Sequence, residues 1–249
     1  MIPAHEVHPG PSGAPTIVLS NSLGTTRAMW DPQLPALLEH ATVVRYDARG
    51  HGASATISGA ATIDDLVDDA IELLDALRLN SVHWVGLSLG GMTGMRLGAR
   101  EPGRLERLTV LCTSAFLPPA TGWTDRAAAV RAGGTAAVAD AVLDRWFTPA
   151  FTNRESYRAM LASIDAEGYA ACCEAIATMD LRADLALIQA PVVAIAGADD
   201  PATPPPHLAT IAEKVPDGRL VLVKDAAHLA NVEQPDAVTA AIMDVAWTR

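Results

Sequence analysis

The segment GLSLG at residues 86–90 carries a serine with a glycine two positions before it and another two positions after it. It lies between a predicted strand and a predicted helix, which is the context of a nucleophile elbow. A serine on such a sharp turn crowds its neighbours, so Gly86 and Gly90 stand where side chains would not fit. Ser88 is therefore the candidate nucleophile. For the bare motif, the alternative is an ordinary strand-to-helix turn in which Ser88 caps the helix.

A nucleophilic serine needs a base within hydrogen-bond reach and an acid that orients the base. Asp199 and Asp200 follow the predicted strand PVVAIAG, and His228 follows the predicted strand RLVLVK. The order serine, acid, histidine is that of α/β-hydrolases and differs from the orders of chymotrypsin-like and subtilisin-like enzymes. Adjacent residues at a strand end point in opposite directions, so spacing alone leaves both acids open. We choose Asp200 as the acid and interpret Asp199 as a solvated neighbour.

Four other histidines fit structural roles better. His83 lies within a predicted strand and is interpreted as a packed core residue, and His51 in RGHG as a residue that shapes a loop. His5 and His8 lack the H-E-x-x-H spacing of a helical zinc site. We expect neither a metal ion nor an organic cofactor.

Acyl transfer also requires two backbone N–H groups that hold the developing oxyanion. The first is the N–H of the residue after the nucleophile, here Leu89. The second comes from the loop after an early strand, and SNSLG follows the strand TIVLS. We choose the Ser22 N–H, and the alternative for this segment is a plain turn containing glycine.

The elements that must position these groups are short apolar runs followed by Gly- or Pro-marked loops and then by segments with helical spacing. Because most of the runs are apolar throughout, they indicate strands covered on both faces of a mostly parallel sheet. The predicted strands are Thr16–Ser20, Thr42–Asp47, Ser81–Leu87, Leu105–Thr113, Pro191–Gly197 and Arg219–Lys224.

The clearest helix is predicted in TIDDLVDDAIELLDALRL, with Thr62 as its N-cap and acids on the face opposite the apolar stripe. That stripe consists of Ile63, Leu66, Val67, Ala70, Ile71, Leu74 and Leu77.

From residue 117 to residue 188 the strand signal is replaced by Ala-rich helical stretches. We therefore predict an α/β-hydrolase core at residues 1–116 and 189–249 with an inserted helical cap at 117–188.

Charge and cysteine usage limit the partners. The chain has 249 residues, 18 of them basic and 29 acidic, for a net charge of −11, which repels phosphate backbones and anionic lipid surfaces. We expect neither nucleic acid nor a membrane as a partner. Two of the three cysteines, Cys172 and Cys173, are adjacent, which suits a disulfide framework poorly. These observations favour the cytoplasm, while the oligomeric state is not readable from the sequence.

With these residues placed, the chain resembles the 3-oxoadipate enol-lactonase family of α/β-hydrolases from about residue 17 to residue 235. The elbow and the segment VVRYDARGHGAS are shared by many α/β-hydrolases and indicate the fold alone. The cap segments RWFTPAF and EGYAACC are more specific to the lactonases. Two departures, Leu89 in place of methionine and Ala-Ala in place of Ala-Gly before the histidine, remove no catalytic function.

The resemblance implies a catalytic triad of Ser88, Asp200 and His228, with Asp200 as the fourth residue of the family's G-x-x-D. It also implies a reaction, the hydrolysis of 3-oxoadipate enol-lactone to 3-oxoadipate in the β-ketoadipate pathway of aromatic-acid catabolism. Some family members are fused to a carboxymuconolactone decarboxylase domain, for which this sequence has no residues left over.

Such a substrate carries a carboxylate, which a cationic side chain would bind, and a small ring, which would pack against aromatic side chains. The cap segment supplies our candidates Arg145, Trp146 and Trp123, each of which has an alternative in cap packing or a surface ion pair. Arg126, Arg131 and Arg182 are rivals for the carboxylate, Trp30 is a further pocket candidate for which core packing is the favoured reading, and Cys172 and Cys173 are read as packing residues.

The sequence leaves two alternatives to this function. One is a broader carboxylesterase or lactonase that uses the same triad on another small ester. The other is a ligand receptor of the same fold with negligible turnover. A haloalkane dehalogenase is disfavoured, since that chemistry uses an aspartate where this chain has Ser88.

Overall fold

The computed structural model describes residues 1–56 and 58–247. The last two positions of the predicted core segment 189–249 lie outside the described residues. Seven strands form one sheet in the order β1-β3-β2-β4-β5-β6-β7. All neighbouring pairs are parallel except β1 with β3. The strands are β1 His5–His8, β2 Thr16–Ser20, β3 Thr42–Tyr46, β4 Val82–Leu87, β5 Leu105–Leu111, β6 Val192–Gly197 and β7 Gly218–Val223.

Helices connect the strands and flank the sheet, and the predicted mostly parallel α/β architecture is confirmed. The α-helices are α1 Leu34–Leu38, α2 Ile63–Ala76, α3 Leu89–Arg100, α4 Ala120–Gly133, α5 Ala139–Trp146, α6 Arg154–Ala162, α7 Ala166–Thr178, α8 Pro205–Lys214, α9 Ala230–Glu233 and α10 Pro235–Trp247. Short 3₁₀ helices lie at Arg27–Trp30, Pro102–Arg104, Thr135–Val138 and Leu185–Leu187.

The six predicted strands are all present, with bounds that differ from the prediction by two residues at most. Every residue of β4 and β6 is buried, which explains why these strands read as continuous apolar runs. Strand β1 was not predicted. It is a four-residue edge strand of sequence HEVH, and its length and polarity give no strand pattern to detect.

Helix α2 confirms the predicted amphipathic segment. Thr62 caps it and accepts a hydrogen bond from the Asp65 N–H, while the Asp65 carboxylate accepts from the Thr62 N–H in return. One acid departs from the predicted solvent face, because Asp69 is buried and accepts a hydrogen bond from Arg49 Nε at 2.7 Å. The buried charge is thus paired, as the cost of desolvation requires.

Helices α4 to α7 lie between β5 and β6, in the segment that we predicted to be a cap. The N-terminal turn of α7 meets the core backbone to backbone: a Cβ added to Gly168 would lie 2.4 Å from Gly50 Cα. Side chains at either position would therefore hold the two segments apart. In the described part of the chain, no helix combines the length and the apolar character needed to cross a membrane.

Candidate active site

Ser88 lies between the end of β4 and the start of α3, with φ 53° and ψ −111°. The turn is as crowded as the motif predicts. A Cβ on Gly86 would lie 2.1 Å from the Gly90 carbonyl oxygen, and a Cβ on Gly90 would lie 2.3 Å from that of Ser20. Thr113 Oγ1 donates a hydrogen bond to the Ser88 carbonyl at 2.7 Å, which helps to hold this backbone conformation.

The loops after β6 and β7 bring Asp200 and His228 together. His228 Nδ1 lies 2.8 Å from Asp200 Oδ2, while Asp199 is exposed to solvent. Asp200 Oδ2 also accepts from Thr203 Oγ1 at 2.7 Å, and its Oδ1 accepts from the N–H groups of Ala202 and Thr203 at 2.8 and 3.1 Å. The structure thus places Asp200, and not Asp199, beside the histidine.

These contacts decide the charge of Asp200. Burial alone would raise its pKa, but the His228 charge and the hydrogen bonds from His228 and Thr203 outweigh burial and lower the pKa to about 2. Asp200 is therefore an anion at neutral pH, and it accepts the Nδ1–H of His228. The Nε2 atom of the same ring is left to accept a proton.

Ser88 and His228 open onto one cavity of about 280 Å³. The remaining lining comes from the early loop, the segment before α4, helices α4, α5 and α7, and the loop after β6. Its residues are Ser22, Leu23, Leu117, Pro118, Pro119, Gly122, Trp123, Arg126, Val142, Arg145, Trp146, Tyr169, Pro201, Ala202 and Thr203.

The Leu89 N–H is the first of helix α3, where N–H groups have no partner within the helix. The Ser22 N–H, our second candidate, points elsewhere and donates to Met29 Sδ at 3.4 Å. The next N–H along the same loop belongs to Leu23, which also lines the cavity, and among the described residues it has no recorded acceptor. The Leu23 N–H is therefore a better candidate than the Ser22 N–H for the second donor of the oxyanion hole. The sequence does not reveal this, because the direction of a backbone N–H in a loop depends on the backbone angles.

His51 hydrogen-bonds to the loop after β2, at Gly24. Its Nε2 accepts the Gly24 N–H at 3.0 Å, and its Nδ1 lies 2.9 Å from the Arg49 carbonyl oxygen. The ring is therefore neutral with the proton on Nδ1, and burial lowers its pKa, which favours the same state. The geometry agrees with the loop-shaping role that we expected.

All three predicted substrate-binding residues, Trp123, Arg145 and Trp146, line the cavity. So does the rival Arg126, whose guanidinium carbon lies 4.6 Å from the centroid of the Trp123 ring. Burial and the positive charge of Arg126 lower the pKa of Arg145. Among the residues that the structure describes, no carboxylate is paired with either arginine.

The other two rivals are committed elsewhere. Arg131 pairs with Glu167 at 2.8 Å, and Arg182 pairs with Asp180 at 2.5 Å. Trp30 is fully buried and donates from Nε1 to Asn21 Oδ1, so it belongs to the core.

The remaining candidates are packing residues. Cys172 and Cys173 are buried, as we predicted. His83 is buried against Thr109, and burial lowers its pKa to about 3, with the charge of Arg107 as a second cause.

Sequence reasoning missed two site residues. Thr203 donates two hydrogen bonds to the candidate acid Asp200 from three positions downstream, and the segment DPAT carries the aspartate-turn signal that could have indicated it. Tyr169 lines the cavity from within EGYAACC, a segment noted for its resemblance to lactonases and not for a role in the pocket.

Comparison with known proteins places this geometry in a family. The model of the Alpha/beta hydrolase family matches residues 17–241. The 3-oxoadipate enol-lactonase 2 of Acinetobacter baylyi is 40% identical over 94% of this chain and 89% of its own length. The enol-lactonase structure from Burkholderia xenovorans superposes with a TM-score of 0.93 at 40% identity, over 97% of this chain and 95% of that one. A malate-bound thermophilic esterase from Thermogutta terrifontis superposes at 0.91 with 28% identity, over 97% and 92%.

Proposed function

Because the chain belongs to the alpha/beta hydrolase family and, within it, to the 3-oxoadipate enol-lactonases, we propose that it hydrolyses 3-oxoadipate enol-lactone to 3-oxoadipate. The reaction runs through an acyl-enzyme on Ser88. One observation carries the proposal: a single cavity holds Ser88, the Asp200-bound His228 and two arginines that pair with no carboxylate in the described chain.

In the first half-reaction His228 Nε2 takes the Ser88 proton as the hydroxyl oxygen attacks the lactone carbonyl carbon. The N–H groups of Leu89 and Leu23 hold the negative charge that develops on the carbonyl oxygen. The ring C–O bond then breaks, and the departing enolate oxygen takes the proton from His228. The enol rearranges to a ketone, so ring opening is strongly downhill.

In the second half-reaction a water molecule takes the place of the Ser88 hydroxyl as the nucleophile. His228 takes one proton from the water as its oxygen attacks the acyl carbon, and the Ser88 oxygen leaves with that proton. The products are 3-oxoadipate and the regenerated serine. Throughout, Asp200 keeps the imidazole in the Nδ1–H tautomer and stabilises the imidazolium.

The substrate carboxylate is bound by Arg145 and Arg126, and the ring lies against Trp123 and Trp146. Support comes from charge and position. Arg145 is half-buried, and a cation partly removed from water without a counter-ion is costly. Its lowered pKa reflects that cost, so a bound carboxylate compensates it. In a chain of net charge −11, these arginines also create a local positive field that attracts an anionic substrate.

The wider assignment is part of the same proposal. Residues 117–188 act as a cap over the core formed by 1–116 and 189–249, supported by the helices α4 to α7 between β5 and β6. The enzyme serves the β-ketoadipate pathway in the cytoplasm, where its three buried free cysteines stay reduced.

A second candidate function is a broader esterase acting on small carboxylated esters. The likeness to the malate-bound esterase favours this candidate, since that protein holds a small dicarboxylate on the same fold.

The deciding experiment follows the loss of enol-lactone absorbance for the wild type and for Ser88→Ala, with a neutral aryl ester as control. Rapid turnover of the lactone that the substitution abolishes supports both the reaction and the nucleophile. Hydrolysis of the aryl ester with no turnover of the lactone would overturn the lactonase proposal and leave the broader esterase.

A further inference from the structure

The C-terminal end of cap helix α5 lies directly on the loop that carries His228. A helix leaves its last carbonyl groups without partners inside the helix. Here the loop supplies them, because the Leu229 N–H donates to the Trp146 carbonyl at 2.9 Å and the His228 N–H to the Arg145 carbonyl at 3.4 Å. The two cap residues that turn side chains to the cavity thus have their main chain bonded to the base and its neighbour.

The Glu233 side chain also links the end of α5 to the loop that carries His228. Its Oε1 accepts from the N–H and the hydroxyl of Thr148, at 2.9 and 2.7 Å, and its Oε2 accepts from the Ala227 N–H at 2.6 Å. One carboxylate therefore spans the residue before His228 and the residue that follows α5 by two positions. Glu233 itself does not line the cavity.

We propose that Glu233 is a positioning residue that sets the distance between the substrate-binding side chains of α5 and the catalytic base. An ionised carboxylate suits this role because both of its oxygens accept. A glutamine offers one oxygen and one NH₂ group, so it can accept from the N–H of Thr148 or from that of Ala227 but not from both. The proposal rests on the proposed function in one respect, namely that Arg145 binds the substrate carboxylate.

The test compares Glu233→Gln, Thr148→Val and the double variant. Thr148→Val removes only the hydroxyl contact on the cap side, and Thr148→Ser restores it. Loss of a hydrogen bond to a charged group predicts a KM for the enol-lactone raised about 10-fold, with kcat changed much less. The KM for a neutral aryl ester should stay close to that of the wild type. Because both substitutions break the same link, the double variant should be little worse than Glu233→Gln.

Glu167→Gln is the matched control, since it breaks an ion pair with Arg131 inside the cap and touches no residue of the His228 loop. Its KM should not change. Effects of Glu233→Gln and Thr148→Val that multiply in the double variant, or an equal effect of Glu167→Gln, would overturn the positioning role.

Amide hydrogen exchange without substrate tests the link independently of the reaction. In Glu233→Gln, exchange should quicken together in peptides that cover residues 143–150 and 225–230, and stay unchanged in α4. Unchanged exchange in both peptides would contradict the proposal even if the enzyme hydrolyses the lactone. If the lactone is not a substrate, the proposed function fails, while the exchange experiment still decides the link.

Discussion

The two sides of the cavity differ in whether their charged side chains already have partners. On the sheet side both carboxylate oxygens of the candidate acid Asp200 are hydrogen-bonded, since they accept from Ala202, Thr203 and His228, and the pKa of Asp200 is held at about 2. On the cap side, formed by helices α4 and α5 of the predicted cap, Arg126 and Arg145 face the same cavity without a carboxylate partner in the described chain. Catalytic groups must be held in position before the substrate binds. Groups that bind the substrate need their charge to remain unpaired until the substrate carboxylate arrives.

If the sheet side supplies fixed geometry, Asp200→Asn should have the largest effect. An asparagine can present its NH₂ group to Nδ1 and favour the wrong tautomer, so kcat should fall by about 10⁴-fold with KM little changed. Steady-state kinetics on the enol-lactone measure this. Asp199→Asn is the matched control and should retain full activity; a comparable loss there would mean that the acid is misassigned.

If the cap side supplies charge for the substrate, Arg126→Gln and Arg145→Gln should act on binding. Each should raise the KM for the enol-lactone by about 10- to 100-fold, the worth of a charge-assisted hydrogen bond, and leave a neutral aryl ester unaffected. Arg131→Gln, on the same cap and already paired with Glu167, is the control. An equal loss on both esters would indicate that the arginines support the cap instead of binding the carboxylate.

The predicted cap approaches the predicted core closely at Gly168, away from the cavity. Gly168→Ala would place a Cβ against the Gly50 backbone, so it should lower the free energy of unfolding by about 1–3 kcal/mol, as overpacking does. Urea denaturation measures the change. Gly122→Ala, in helix α4 with no atom within 4 Å of the added Cβ, should be neutral or stabilising. Similar losses for both would show that the cap does not depend on this close approach.

The smallest effect concerns pH and the loop that His51 supports. Burial lowers the pKa of His51 in the folded chain. Below the unfolded-state pKa of about 6.5, the unfolded chain therefore binds a proton at this histidine more readily than the folded chain does. The stability contribution is therefore present above that pH and is lost as the pH falls. His51→Gln keeps an acceptor for the Gly24 N–H but does not titrate, at a cost of about 1 kcal/mol at pH 7.

Urea denaturation at pH 7 and pH 5 tests this, and the difference between the two pH values should be smaller for His51→Gln than for the wild type. His83 titrates in the same direction, with a pKa of about 3, and remains in both proteins as an internal reference. An unchanged difference would show that His51 is not held in the neutral form.

Local signals determined much of this protein. Continuous apolar runs predicted β4 and β6, and the glycines around Ser88 predicted the elbow, because each depends on neighbours within a few residues. The order of serine, acid and histidine then indicated the reaction class.

Tertiary structure decided what depends on direction and distance across the fold. Spacing left Asp199 and Asp200 both open, and only the packing of the loops shows which carboxylate meets His228. The Ser22 N–H turns to Met29, a direction set by backbone angles that no motif encodes. Glu233 meets Thr148 across 85 positions of the chain. A local pattern carries no information about such a contact, because only the folded sheet and cap bring the two residues within hydrogen-bond distance.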